Sequence, residues 1–222
     1  MRKYVDLKLW SSKSNEDELT ALFHAGIEMG FWALGFACLP EEVEKIQNFV
    51  KNLTSEGKRV FTSVELVLQN PPALRTISKL SKKKLFLSVA PLTLEMARRA
   101  VKLRVDSLVL PINRNRLVFD SVCAKEFSKR GGAVEVRLVD LLKSGRRKLL
   151  RALRMIRLEI RIARKYGIPL LVSSGATKPV EILDPIVMAS IAETLLKIPK
   201  EAALNSISDY PCSILEKEGL FG

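Results

Sequence analysis

The segment AVEVRLVDLLKSGRRKLLRALRMIRLEIRIARKYGIPLLVS, residues 133–173, changes its period twice. AVEVRL (133–138) is a short valine-rich run. Residues 146–165 then repeat their apolar side chains at helical spacing, and IPLLVS (168–173) returns to a short continuous apolar run. A strand, a long helix and a second strand form a parallel crossover unit, because a connection of that length carries the chain back to the starting edge.

The same rhythm extends in both directions. Candidate strands are KYVDLKL (3–9), WALGFA (32–37), RVFTSVEL (59–66), KLFLSVA (84–90), DSLVLP (106–111), AVEVRL (133–138), IPLLVS (168–173) and AALNSI (202–207). Helical periodicity fills the intervals 16–30, 40–57, 93–104, 115–131 and 184–197. Gly30, Gly57 and Gly131 fall where helices should stop, and Pro40 and Pro185 near where they should start. Eight strands alternating with helices in 222 residues predict an α/β chain with a (β/α)8, TIM-barrel-like fold. A doubly wound open sheet is the alternative. No linker, low-complexity tract or longer repeat interrupts the rhythm, so residues 1–222 are expected to form a single domain.

Composition narrows the class. No uncharged apolar run approaches the roughly 18 residues of a membrane span. MRKYVDLKLW lacks the apolar core of a secretion signal, so a cytoplasmic protein without membrane association is expected. Cys38, Cys123 and Cys212 are odd in number and widely spaced, which suggests neither a disulfide framework nor a zinc cluster. The net charge is +13. Residues 129–165 hold thirteen Lys and Arg against three acids, a net of +10, and the other 185 residues carry only +3. Such a surplus points to a polyanionic partner.

The catalytic inventory is thin. In a barrel, chemistry gathers where strands end, here at Asp6, Lys8, Glu65, Pro91, Pro111, Arg137, Ser173, Ser174 and Asn205. The chain has one histidine, His24, in the middle of a predicted helix. Metallohydrolase barrels need several imidazole and carboxylate ligands at strand ends, and Ser-His-Asp catalysis needs a histidine there. The first strand offers Asp6-Leu7-Lys8 instead, and a lysine repels a metal. No dinucleotide or Walker-type glycine loop is present. Glu65 and Glu135 could act as paired carboxylates, but bonding within the barrel mouth or pairing with Arg137 is favoured. The loop SSGAT (173–177) could cradle a phosphate through Ser173, Ser174 and Gly175, or be a tight turn built from small residues.

The basic helix resolves into three faces when projected at about 100° per residue. Leu149, Ala152, Leu153, Ile156, Ile160 and Ala163 form an apolar stripe about 100° wide that should face the core. Arg146, Arg147, Arg151, Arg154, Arg157, Arg161, Arg164 and Lys165 share an adjoining arc of about 140°, with Lys148 the one base elsewhere. Met155, Leu158 and Ile162 make a small apolar patch outside the stripe, a candidate contact for a protein partner. Like charges one turn apart repel. Arginine outnumbers lysine seven to two, and its planar fork matches phosphate oxygens. No aromatic residue lies in the helix, so phosphate and shape recognition of structured RNA is expected rather than base stacking. The candidate RNA contacts are that basic arc together with Lys143 and Lys178.

Several short motifs carry a resemblance. YVDL (4–7), LGFA after MGFWA (29–37), VEL (64–66), VEV (134–136) and SDYPCSIL (208–215) are similar to archaeal members of the thirty-kilodalton subunit family of ribonuclease P. The most specific match is SSGAT followed by E-x-x-x-P, Glu181 to Pro185, and a helix. The resemblance implies a TIM-barrel-like chain related to the PHP and other metallohydrolase barrels but lacking their metal site. It implies a non-catalytic subunit of the ribonucleoprotein endonuclease that removes the 5′ leader from precursor tRNA. Catalysis would belong to the RNA, with Mg2+ held there and no cofactor on this chain. The implied partners are the ribonuclease P RNA, precursor tRNA, other ribonuclease P proteins, and an RRM-like subunit forming a heterodimer and then a heterotetramer.

Two positions depart from the family pattern. Leu183 stands two before Pro185 where an arginine is common, and Cys212 follows Pro211 where a base is common. Neither carries over as an RNA contact, and Lys178 or the basic helix would have to compensate. The rival readings are a metal-dependent phosphoesterase of the PHP-like class and a basic barrel that binds only proteins.

Overall fold

A computed structural model describes residues 2–11 and 15–220. Seven strands, β1 (Val5–Trp10), β2 (Ala33–Cys38), β3 (Val60–Leu68), β4 (Phe86–Pro91), β5 (Ser107–Val109), β6 (Ala133–Arg137) and β7 (Leu170–Ser173), run parallel and neighbour one another in chain order. The helices are α1 (Glu16–Glu28), α2 (Val43–Ser55), α3 (Ala73–Leu80), α4 (Leu94–Ala100), α5 (Ser121–Arg130), α6 (Leu138–Leu142), α7 (Arg146–Lys165), α8 (Pro185–Leu196), α9 (Lys200–Asn205) and α10 (Asp209–Lys217). Caps follow the expected chemistry. Asp184 accepts from the Ile186 and Val187 N–H groups with Pro185 at the first helical position of α8, and Gly131 ends α5 at φ +69°.

The curled sheet is closed by bonds across its seam. Leu9 and Ala176 form a parallel bridge, with the Trp10 N–H donating to the Ala176 carbonyl at 2.8 Å. Residues 206–207 fill the rest of the gap. The Val172 N–H donates to the Ser206 carbonyl at 3.1 Å and the Val5 N–H to the Ile207 carbonyl at 2.8 Å. This corrects the expected eighth strand. AALNSI is mostly the end of α9, and only two carbonyls remain where a strand would stand. Its Ala and Leu residues are apolar enough for a buried strand but prefer a helix, and Ile207 alone is β-branched.

Two apolar layers result. Side chains facing outward from the strands meet the helices in a large outer core. Inside, Val5, Leu7, Ala33, Phe61, Phe86, Ala133 and Leu171 fill the barrel, and Ile214 and Leu215 of α10 plug its lower end. A Cβ at Gly35 would come within 2.7 Å of the Phe61 ring, so glycine there makes room for that ring. The upper end of the interior is polar. The register of β1 against β2 shifts between Asp6 and Leu9. Leu7 therefore belongs to the inner cluster and Leu9 to the outer one, and Lys8 turns into the barrel. Such a bulge re-aims a side chain that strict alternation would have pointed outward.

Candidate nucleic-acid interface

The barrel mouth is closed by charge. The Lys8 ammonium is fully buried, 2.5 Å from Glu65 Oε2 and 3.2 Å from Glu135 Oε1. Ser107 and Ser173 donate their hydroxyls to Glu135 at 2.6 and 2.8 Å, and Arg137 bridges Glu65 at 2.9 Å and Asp140 at 2.7 Å. Burial alone would raise the Glu65 pKa. Lys8 and then Arg137 outweigh it and hold the carboxyl below its usual range. Asp6 lies beside this network. Its Oδ1 accepts from the Lys8 N–H at 3.2 Å and the Ser174 N–H at 3.0 Å, and its Oδ2 is buried without a partner. Burial pushes its pKa up to about 6.

Glu65 and Glu135 are thus the two arms of an internal ion pair, not a free acid/base couple. The donor set does not fit a metal either, because an ammonium already stands between the carboxylates. No group of three or more His, Cys, Asp or Glu among the described residues could hold a metal ion. His24 is on the exposed face of α1, edge-on to Phe23. The SSGAT loop is committed inward as well. Ser173, Ser174 and Gly175 are buried, and Ala176 N–H donates to the Ser174 hydroxyl at 3.0 Å. Gly175 adopts φ +67° under the Arg137 side chain. The Ser173 hydroxyl, the Ser174 N–H and the Ala176 N–H, which could have cradled a phosphate, are engaged by Glu135, Asp6 and the Ser174 hydroxyl.

On the barrel wall, α7 lies against α5 and α8. Ala152, Leu153, Ile156, Ile160 and Ala163 of its apolar stripe are buried and Leu149 is half-buried. Arg146, Arg147, Arg151, Arg154, Arg161, Arg164 and Lys165 are exposed. Arg157 is half-buried and donates Nε–H to the Leu195 carbonyl at 2.9 Å, which caps the end of α8. Lys143 pairs with Glu181 at 2.5 Å, while Lys178 is exposed just beyond the SSGAT loop. Burial would raise the Glu181 pKa, yet Lys143 and Thr177 together hold it down to about 2.

Glu159 is a residue that reading the helix alone missed. It is fully buried, gripped by both guanidinium nitrogens of Arg114, and accepts from the Val118 and Phe119 N–H groups at 2.7 and 3.0 Å. This staples the segment between β5 and α5 to α7. Asn115 then reaches Arg151 at 2.9 Å. A cavity of about 450 Å3 opens between Asn113, Arg114, Arg147, Lys148 and Arg151. A neighbouring one of about 220 Å3 joins Lys148 to Lys143, Arg137 and Pro111. Lys148, the odd base in the projection, links the helix to the barrel mouth. Only the fold could show this, since the other wall comes from residues 111–115.

The apolar patch divides. Ile162 packs on the core. Met155 is half-buried and Leu158 is 38% exposed, and they share a groove of about 770 Å3 with Leu92, Leu94 and Leu117, flanked by Arg116 and Arg154.

Comparisons with known proteins bear on the family and the fold. "Ribonuclease P protein component 3" of Methanothermobacter thermautotrophicus is 31% identical over 225 residues, covering 99% of this chain and 91% of that one. The protein of the same name in Methanosarcina mazei is 28% identical over 164 residues, 73% of this chain and 68% of the relative. Among solved structures, a chain of an archaeal ribonuclease P with mature tRNA superposes with a TM-score of 0.73 at 20% identity, covering 96% of this chain and 90% of its own. A putative prolidase from Bifidobacterium longum gives a TM-score of 0.70 at 9% identity, covering 98% and 70%. At those identities the likeness is one of fold, shared between hydrolase barrels and a ribonucleoprotein subunit. The family model described as RNase P subunit p30 matches residues 3–220, and the chain belongs to that family.

Proposed function

We propose that this chain is a protein subunit of ribonuclease P, the endonuclease that removes the 5′ leader from precursor tRNA, and that it acts by binding and ordering RNA. The observation that carries the reading is the exposed basic band of Arg154, Arg151, Arg147 and Lys148 on α7, whose cavities run on to the ion-paired Lys143 and Arg137, beside a barrel mouth sealed by Lys8. Hydrolysis needs an activated water; Glu65 and Glu135 are committed to Lys8, Asp6 is fully buried, and no group of three or more His, Cys, Asp or Glu among the described residues could hold a metal ion. The surface instead supplies screening. Guanidinium groups facing phosphates release counterions and let RNA segments approach one another. On this reading the RNA subunit holds the Mg2+ and does the chemistry, and the chain works in the cytoplasm. The groove at Met155 and Leu158 is the docking face proposed for an RRM-like subunit, two such pairs making a heterotetramer with the other ribonuclease P proteins.

The test is the salt dependence of RNA binding. Replacing Arg147, Arg151 and Arg154 with alanine should flatten the plot of log affinity against log salt by roughly 2–3 units, at about 0.7–0.9 per phosphate contact. An unchanged slope would remove α7 from the interface.

A further inference from the structure

The end of the barrel opposite the mouth is also cationic, and the site described above does not use it. Lys3 precedes β1, Lys58 and Arg59 precede β3, and Lys84 precedes β4. With Lys51 of α2 they line one cavity of about 920 Å3. All five are exposed, and none makes an ion pair among the described residues. The one carboxylate in the lining is Glu216 of α10. Trp32 lies in the same cavity, with Lys3 Nζ 4.7 Å and the Arg59 guanidinium 4.9 Å from its ring centroid.

Five like charges converging on a concavity repel one another and focus a positive potential outward. The indole holds two of them in place through its negative π-face, so their ordering cost is met before any ligand arrives. The charges come from three different loops and a helix. That spread suits successive phosphates of an extended polyanion better than one small anion, which needs convergent donors at a single point. The cavity has what α7 lacks, an aromatic ring beside the bases.

We infer that this N-terminal rim of the barrel is a second RNA-contact face, on which Trp32 positions Lys3 and Arg59 against the phosphate backbone. The inference rests on the reading of the chain as an RNA-binding subunit. It adds that the chain bridges two RNA segments, one along α7 and the barrel mouth and one beneath the barrel.

The test uses the full chain, a precursor tRNA transcript and a KCl series. Three variants are compared: the rim variant Lys3→Ala/Arg59→Ala/Lys84→Ala, the helix variant Arg147→Ala/Arg151→Ala/Arg154→Ala, and their combination. Each triple variant should lower the salt slope by roughly 2–3, and the combination by about the sum. A second rim variant, Lys58→Glu/Lys84→Glu, leaves the Trp32 contacts intact and should lower the slope as well. In a Trp10→Phe background, Trp32 is the remaining tryptophan and RNA should change its emission, in the helix variant too. If only the helix variant lowers the slope, the rim inference fails and the functional reading stands. If neither does, both fail. If poly-glutamate changes Trp32 emission and RNA does not, the rim takes an acidic protein segment and the inference is overturned.

Discussion

Lys8 sits with its ammonium between two buried carboxylates, and removing it would leave Glu65 with Arg137 alone and Glu135 with only its serine donors. Lys8→Met should destabilise the chain by about 3–5 kcal/mol in urea unfolding at neutral pH. The sign of its pH dependence follows from Glu65. Its folded pKa is lowered by Lys8 and Arg137, so its contribution is present above the unfolded value and lost as pH falls through the folded one. Without Lys8 that pKa rises, so the penalty of the variant should shrink as the pH is lowered from neutral toward 5. Asp6 behaves oppositely. Its folded pKa of about 6 exceeds the unfolded value, so the folded state is favoured at low pH and that advantage is lost as pH rises through 6. Asp6→Asn keeps an acceptor for the Lys8 and Ser174 N–H groups and cannot ionise. It should gain about 1–3 kcal/mol at pH 7 and little at pH 4, read from the same unfolding curves. These residues were visible in the sequence as a strand-end group. Their pairing was not, because the bulge that turns Lys8 inward leaves no mark in the alternation of β1.

At the scale of the element, α7 was the most legible part of the chain. Its long apolar period marks the stripe that the fold buries, since the projection depends only on helix geometry. Glu159 shows what projection cannot supply. A single acid in a basic helix reads as a surface charge, yet its partner Arg114 lies 45 residues away, in a segment without regular structure. Arg114→Ala should cost about 3–5 kcal/mol, because Glu159 and the two N–H donors it satisfies stay buried. Arg114→Lys should recover only part of that loss, since one ammonium cannot reproduce the two-pronged contact. Hydrogen exchange should then show residues 112–119 opening before α7 does. The missing eighth strand is a failure of the same kind. Hydropathy marked 202–207 as buried, which holds in part, but burial alone does not separate a short helix from a short strand.

The whole molecule gathers a second set of cations on a surface that a running charge count does not reveal. Outside residues 129–165 the balance is only +3, because acids such as Glu16, Asp17, Glu41 and Glu42 cancel the lysines in the sum. They do not cancel them in space. Those acids sit in the first turns after β1 and β2, at the mouth end, while Lys3, Lys58, Arg59 and Lys84 sit at the other. The chain thus combines a barrel fold with a mouth sealed by an internal ion pair and with cationic exterior surfaces. The direct measurement of that design is cleavage of precursor tRNA in a reconstitution of the ribonuclease P RNA, Mg2+ and the RRM-like subunit, with and without this chain. The chain alone is expected to leave precursor tRNA intact at any Mg2+ concentration, and adding it to the mixture should raise 5′ leader removal, less so for the Arg147→Ala/Arg151→Ala/Arg154→Ala variant. Cleavage by the purified chain, or an RNA-catalysed rate indifferent to its presence, would contradict it.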